Sequence, residues 1–234
     1  MIGYRKFTLR SCTALVLTAI LLFSTFTVHS IEAEHSASYT SGIFYKRLEN
    51  VVLTGDMRTD IVNIAMSQIG YAEGDHATDL SGCTAGQANY TEYGLWYNNL
   101  QDAPGGYEKA MWCAMFVSWC AWQAGIPSET VFYHAYTVYG VNWFTARGLT
   151  YTRAQAEDGT YTPQPGDLVY FKSNRNGDKV NHVGILLKYE NGILYAIEGN
   201  TNDTAHSTNG GQVCLKSYSI SDSFIQYICS PNYA

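Results

Sequence analysis

Cys113, His182, Glu198 and Asn200 are the side chains whose types and order could support nucleophilic chemistry. Cys113 opens the run Trp112-Cys113-Ala114-Met115-Phe116-Val117-Ser118-Trp119-Cys120, and as far as Ala124 only Ser118 and Gln123 are strongly polar. A run with no face for water reads as a helix buried at the centre of a domain, closed by Gly125 with Pro127 beyond it. A thiol in its first turn feels the positive end of the helix dipole, which favours the thiolate. No Ser, Thr, Asp or Asn stands at 110–112 to cap the first amides, so these donors are open to an oxyanion. The chemistry then assigns Cys113 as nucleophile, His182 as the base that takes the thiol proton, and Glu198 or Asn200 as the group that orients the imidazole. Alone, Cys113 would be a small buried hydrophobe and His182 an ordinary strand-edge histidine; their joint presence carries the reading.

These residues sit in recognisable stretches. Gly166-Asp167-Leu168-Val169-Tyr170-Phe171, His182-Val183-Gly184-Ile185 and Ile197-Glu198-Gly199-Asn200 follow the tryptophan-cysteine helix start, and Ile64 to Tyr71 and Thr91 to Tyr97 precede it. Together, over roughly Asp60 to Asn202, they resemble the CHAP family of cysteine, histidine-dependent amidohydrolases/peptidases. The resemblance implies a site of Cys113, His182, Glu198 and Asn200; no cofactor is expected, and with no Cys-x-x-Cys and no paired His at helical spacing no metal is expected either. As substrate and partner it implies bacterial peptidoglycan, cut as an N-acetylmuramoyl-L-alanine amidase or a peptidoglycan endopeptidase would cut it. Two other readings stand beside it: a non-catalytic wall- or glycan-binding protein on the same fold, and a cysteine protease acting on proteins. Tyr93 and Gln101 are candidates for a second oxyanion donor. Glu73, Asp75 and Asp79 fall where some relatives bind calcium, and are read here as a solvated acidic loop.

Arg5, Lys6 and Arg10 precede an apolar stretch from Ala14 to Phe23, and small residues follow at Ser30 and Ala33, the pattern of a secretory signal peptide. The expected organisation is a signal peptide over 1–33, a short lead-in over 34–56 and one hydrolase domain over 57–234, secreted or cell-wall associated, with no stable membrane insertion after cleavage. The chain carries 14 basic and 20 acidic residues; removing 1–33 leaves 11 against 19, a net charge of −8. That argues against a nucleic-acid partner. Cys83, Cys113, Cys120, Cys214 and Cys229 remain, an odd number that leaves at least one thiol unpaired in a monomer. Cys113 and Cys120, seven helical residues apart, lie about 10 Å from each other, beyond disulfide reach. The oligomeric state is left open.

The order of elements is helices first and strands second, an α+β, papain-like arrangement in which N-terminal helices, the cysteine helix among them, pack on a C-terminal antiparallel sheet. A first helix with Ile61, Ile64, Ala65, Gln68 and Ile69 on one face is capped by Thr59 or Asp60 and closed by Gly70. Residues 71–110 read as loop-rich with one short helix, and 126–160 as irregular. Strands are expected at 168–171, 182–189, 193–198, 213–218 and 224–228. The hairpin between the second and third decides the site. A two-residue Asn191-Gly192 turn places Glu198 opposite Ile185, on the other face from His182 unless a bulge intervenes. A three-residue loop pairs Tyr189 with Ile193, puts Gly192 in the left-handed region and brings Glu198 diagonally onto the His182 face, so the three-residue loop is expected.

Overall fold

The computed structural model describes residues 35–100, 105–172 and 179–233; the expected signal peptide lies outside them. The described residues form one compact unit. Its helices are α1 (Ala37–Ser41), α2 (Ile43–Glu49), α3 (Met57–Ser67), α4 (Glu92–Asn98), α5 (Cys113–Gln123), α6 (Thr137–Thr145) and α7 (Arg153–Glu157). Its strands are β1 (Thr150–Thr152), β2 (Leu168–Phe171), β3 (His182–Glu190), β4 (Ile193–Thr201), β5 (Gln212–Ser219) and β6 (Ile225–Cys229). The strands form one antiparallel sheet in the order β1-β6-β2-β3-β4-β5, so the fold is the expected α+β.

Alternation along the strands divides the core in two. Val183, Ile185, Ile197 and Val213 meet a cluster containing Trp112, Met115, Phe116 and Trp119 from the helices. Val169, Phe171, Leu186, Leu194 and Ala196 belong to a smaller cluster with Phe224 and Ile228. Each fully buried ring such as Phe116 contributes about 1.5–3 kcal/mol of transfer free energy. From Cys113 to Ala121 every residue of α5 is buried, as its composition requires. The helix ends at Gly125, whose φ of 69° lets its amide bond Trp122 and that of Ile126 bond Ala121. The lead-in over 34–56 contains α1 and α2, which place Tyr39, Phe44 and Leu48 in the core. Among the described residues, no helix is long and apolar enough to cross a membrane.

Several local expectations need correction. The N-cap of α3 is Asp56, whose carboxylate accepts from the Thr59 amide at 2.7 Å; Thr59 lies inside the helix, and Asp60 instead accepts from the backbone of Thr54 and Gly55. The stretch 126–160 is not irregular, since it holds α6, β1 and α7. Residues such as Val138, Gly140 and Val141 are poor helix formers, and α6 owes its shape to burying Val141 and Phe144. The start of α7 was legible as a capping box, Thr152 with Gln155.

The hairpin is the correction with most consequence. Glu190 pairs with Ile193 and Tyr189 with Leu194, so the turn has two residues rather than three. Asn191 at φ 52° and Gly192 at φ 76° are both left-handed, the turn whose twist suits the flanking strands. A bulge on β3 undoes the resulting frame: Leu186 pairs with Ala196 and Lys188 with Tyr195, leaving Leu187 without a partner. Beyond it Gly184 pairs with Glu198, which puts His182 and Glu198 on one face after all.

Gly192→Val forces a β-branched residue into the left-handed region and should lower stability by about 1–3 kcal/mol in urea unfolding. Deleting Leu187 should cost more, because a one-residue slip exchanges buried and exposed faces along part of the hairpin. Equal urea midpoints for the Leu187 deletion and the parent chain would refute the role given to the bulge.

Candidate active site

Cys113 is the first residue of α5, buried to 4% exposure, and Trp112 before it is the N-cap. No side chain caps this end of the helix, so its leading amides are free of side-chain acceptors. The indole of Trp112 is fixed instead: its Nε1 donates to Glu73 Oε2 at 2.9 Å. Glu73 is therefore not part of a solvated acidic loop; it is buried and anchors the residue next to the thiol. Asp75 and Asp79 are spent locally, on the Gln87 amide and the Ser81 hydroxyl. Among the described residues, no group of three or more His, Cys, Asp and Glu side chains is placed to hold a metal ion.

His182 opens β3 and is fully buried, with its Nε2 3.0 Å from Glu198 Oε2. Two glycines make this arrangement possible. A Cβ on Gly184 would lie 2.6 Å from Glu198 Cγ, so the carboxylate reaches the imidazole through space that only glycine leaves open. A Cβ on Gly199 would lie 2.7 Å from Phe116 and 2.8 Å from Trp112, so the close approach of β4 to the start of α5 also depends on glycine. Glu198 Oε2 receives a second hydrogen bond, from Tyr218 Oη at 3.2 Å. Sequence reasoning missed both Tyr218 and the role of Glu73. Tyr218 could not have been found from spacing, because it comes from a third strand.

Burial alone lowers the pKa of the His182 imidazole, but the negative charge of Cys113 as a thiolate, together with the Glu198 contact, carries it up to about 10. His182 Nδ1 is buried and makes no hydrogen bond. With Nε2 held by Glu198, Nδ1 is the atom left to exchange a proton with sulfur. Tyr218 remains a donor, since burial and then the Glu198 charge push its phenol pKa up.

Asn200 is buried and left-handed at φ 57°, where the β4–β5 register shifts. Its Oδ1 accepts from the Gly211 amide at 3.2 Å and its Nδ2 is buried without a partner. The side chain in contact with the imidazole is thus Glu198, and Asn200 bonds Gly211 instead. Tyr93 is withdrawn as an oxyanion donor, because its hydroxyl donates to Gln68 Oε1 at 3.1 Å. Gln101 lies outside the described residues. Cys83, Cys113, Cys120, Cys214 and Cys229 are all free thiols.

The structure thus sets a thiol at a helix start and an imidazole paired with a buried carboxylate on one α+β frame. The CHAP domain model matches residues 102–200, and all four candidate residues fall inside that span. The match implies amidohydrolase or peptidase chemistry. No curated protein and no solved structure matches the chain.

Because Glu198 raises the imidazole pKa, it keeps His182 protonated to higher pH, and activity that needs the imidazolium should fall only as His182 deprotonates on the alkaline side. Glu198→Gln should move that alkaline limb of kcat/KM to lower pH and reduce kcat/KM at neutrality by roughly 10²–10⁴-fold. Gly184→Ala, by displacing the carboxylate, should move the limb the same way. An alkaline limb unchanged in both variants would remove Glu198 from its orienting place.

Proposed function

We propose that the protein is a secreted cysteine hydrolase that cleaves amide bonds of bacterial peptidoglycan, as an N-acetylmuramoyl-L-alanine amidase or an endopeptidase. The observation that carries the reading is the fully buried His182–Glu198 contact beside a helix-start thiol. A protein that only bound walls would have no use for a carboxylate and an imidazole held out of water. Substrate and location come from the CHAP resemblance and from the signal-like N-terminus.

In this mechanism Cys113 passes its proton to His182 Nδ1 and attacks the amide carbonyl. The oxyanion forms beside the uncapped amides of α5. The imidazolium, steadied by Glu198 and Tyr218, protonates the leaving amine, and water then hydrolyses the thioester with His182 as base. Asn200, whose side chain bonds Gly211, is the fourth member of the site.

Purified bacterial walls should lose turbidity with the parent chain and keep it with Cys113→Ala or His182→Ala, both of which should still sediment with walls. Clearing that survives Cys113→Ala would discard the mechanism. Binding without clearing by the parent chain would favour a wall-binding protein, and cleavage of casein alone a protease acting on proteins. Mass spectrometry of the released fragments identifies which amide is cut.

A further inference from the structure

The Cys113 helix and the His182 strand meet through apolar side chains, whose attraction has no direction and does not by itself fix one against the other. A buried polar chain supplies that direction. Its centre is His134, which touches both α5 and β2. On the α5 side, Ser118 Oγ accepts from the His134 amide at 2.8 Å and shares its own proton between the carbonyls of Ala114 and His134. Ser118 is the only strongly polar residue from Cys113 to Ala121, and it is spent on this contact. On the β2 side, His134 Nε2 lies 3.1 Å from Tyr170 Oη, and Tyr170 pairs in register with Val183, the residue after His182.

Helix α6 completes the arrangement. Thr137 Oγ1 donates at 3.0 Å to the carbonyl of Val180, two residues before His182. Gly140 leaves the room that the two rings need, since a Cβ there would overlap both His134 Nε2 and Tyr170 Oη. Glycine is unfavourable inside a helix, and here it is what admits the pair.

The partners fix the protons. The Phe132 carbonyl, 2.7 Å from His134 Nδ1, can only accept, so Nδ1 carries the proton. Burial lowers the pKa of this ring to about 4, so at neutral pH Nε2 is bare and takes the Tyr170 proton. Tyr170 stays a phenol because burial raises its pKa, and the charges of Cys229 and then Cys113 as thiolates raise it further, which places the hydroxyl within electrostatic reach of the sulfur. Apolar side chains would fill this space without the cost of burying polar groups; what the polar chain adds is orientation.

We propose that Ser118, His134 and Tyr170 are positioning residues for catalysis, which hold the Cys113 sulfur against the His182 imidazole by tying α5 to β2 and, through its register, to β3. The proposal rests on the cysteine-hydrolase reading above and adds to it the residues that keep nucleophile and base in place.

Alkylation of Cys113 by iodoacetamide, followed across pH by peptide mass spectrometry on the full chain, reports the thiolate without any wall substrate. In the parent chain the alkylation limb should lie below that of an ordinary thiol, and His182→Ala should raise it. Tyr170→Phe and His134→Leu should each raise it by about one pH unit and lower kcat on walls about tenfold with KM held within about twofold, because a displaced sulfur loses its thiolate but not the substrate. His134→Gln, whose carboxamide oxygen takes the Tyr170 proton in the place of Nε2, should keep limb and kcat within about threefold of the parent. If Tyr170→Phe melts early, the contrast between His134→Gln and His134→Leu, read below both melting temperatures, carries the test alone. A limb that stays in place in Tyr170→Phe and His134→Leu overturns the proposal, as does equal loss in His134→Gln and His134→Leu. A parent limb no lower than that of an ordinary thiol instead sinks the cysteine-hydrolase reading, and the proposal with it.

Discussion

A carboxylate with no access to water, Glu198, is the constraint that the rest of the site accommodates. Moving an ionised group out of water costs several kcal/mol unless partners replace its hydration, and here His182 and Tyr218, from two other strands, both meet Oε2 while Oε1 is buried without a hydrogen bond. A comparison within the chain shows what this achieves. His134 is as deeply buried as His182, but its neighbours are the Phe132 carbonyl and the Tyr170 hydroxyl, and burial pulls its pKa down to about 4. One histidine is held neutral, and the other is driven toward the charged form by what stands beside it.

The second requirement is to bring sulfur to that imidazole, and it falls to α5. A helix without a polar face cannot turn any side toward solvent, so the packing of its sides against sheet and helices fixes its rotation and hence the direction of its first residue. Glu73 holds Trp112 at the end of this helix, and the same residue's amide donates to the Gly211 carbonyl at 2.8 Å. Gly211 in turn donates to Asn200. The start of α5 and the end of β4 are thus tied through one short run of hydrogen bonds that passes through Glu73, Gly211 and Asn200.

Much of this was legible in the sequence, for identifiable reasons. The strands are bounded by Asn, Gly and Asp turns, and α5 is an apolar run between a tryptophan and a glycine, so both are written in local composition. What was not legible depends on contacts across the fold. The helix α6 is formed by packing against its own propensity. Glu73 looks like a loop carboxylate until Trp112 arrives, and nothing in the spacing of Tyr218 points to Glu198. The hairpin is the instructive case: Asn191-Gly192 signals a two-residue turn correctly, but the site needs the opposite frame, and β3 supplies it rather than the turn. A bulge at Leu187, with no residue type to announce it, was the missing term.

Turn and bulge on this hairpin compensate each other in frame, and that has a bearing on how related chains are compared. A relative with a three-residue turn and no bulge would present the same face from a hairpin of equal length. Column by column, the two would align without a gap from His182 to Glu198, yet the residues between Leu187 and Ile193 would occupy different places in space. Equality of length across this segment is therefore no guarantee of equivalence, and residues there are matched correctly only after strand pairing has been assigned.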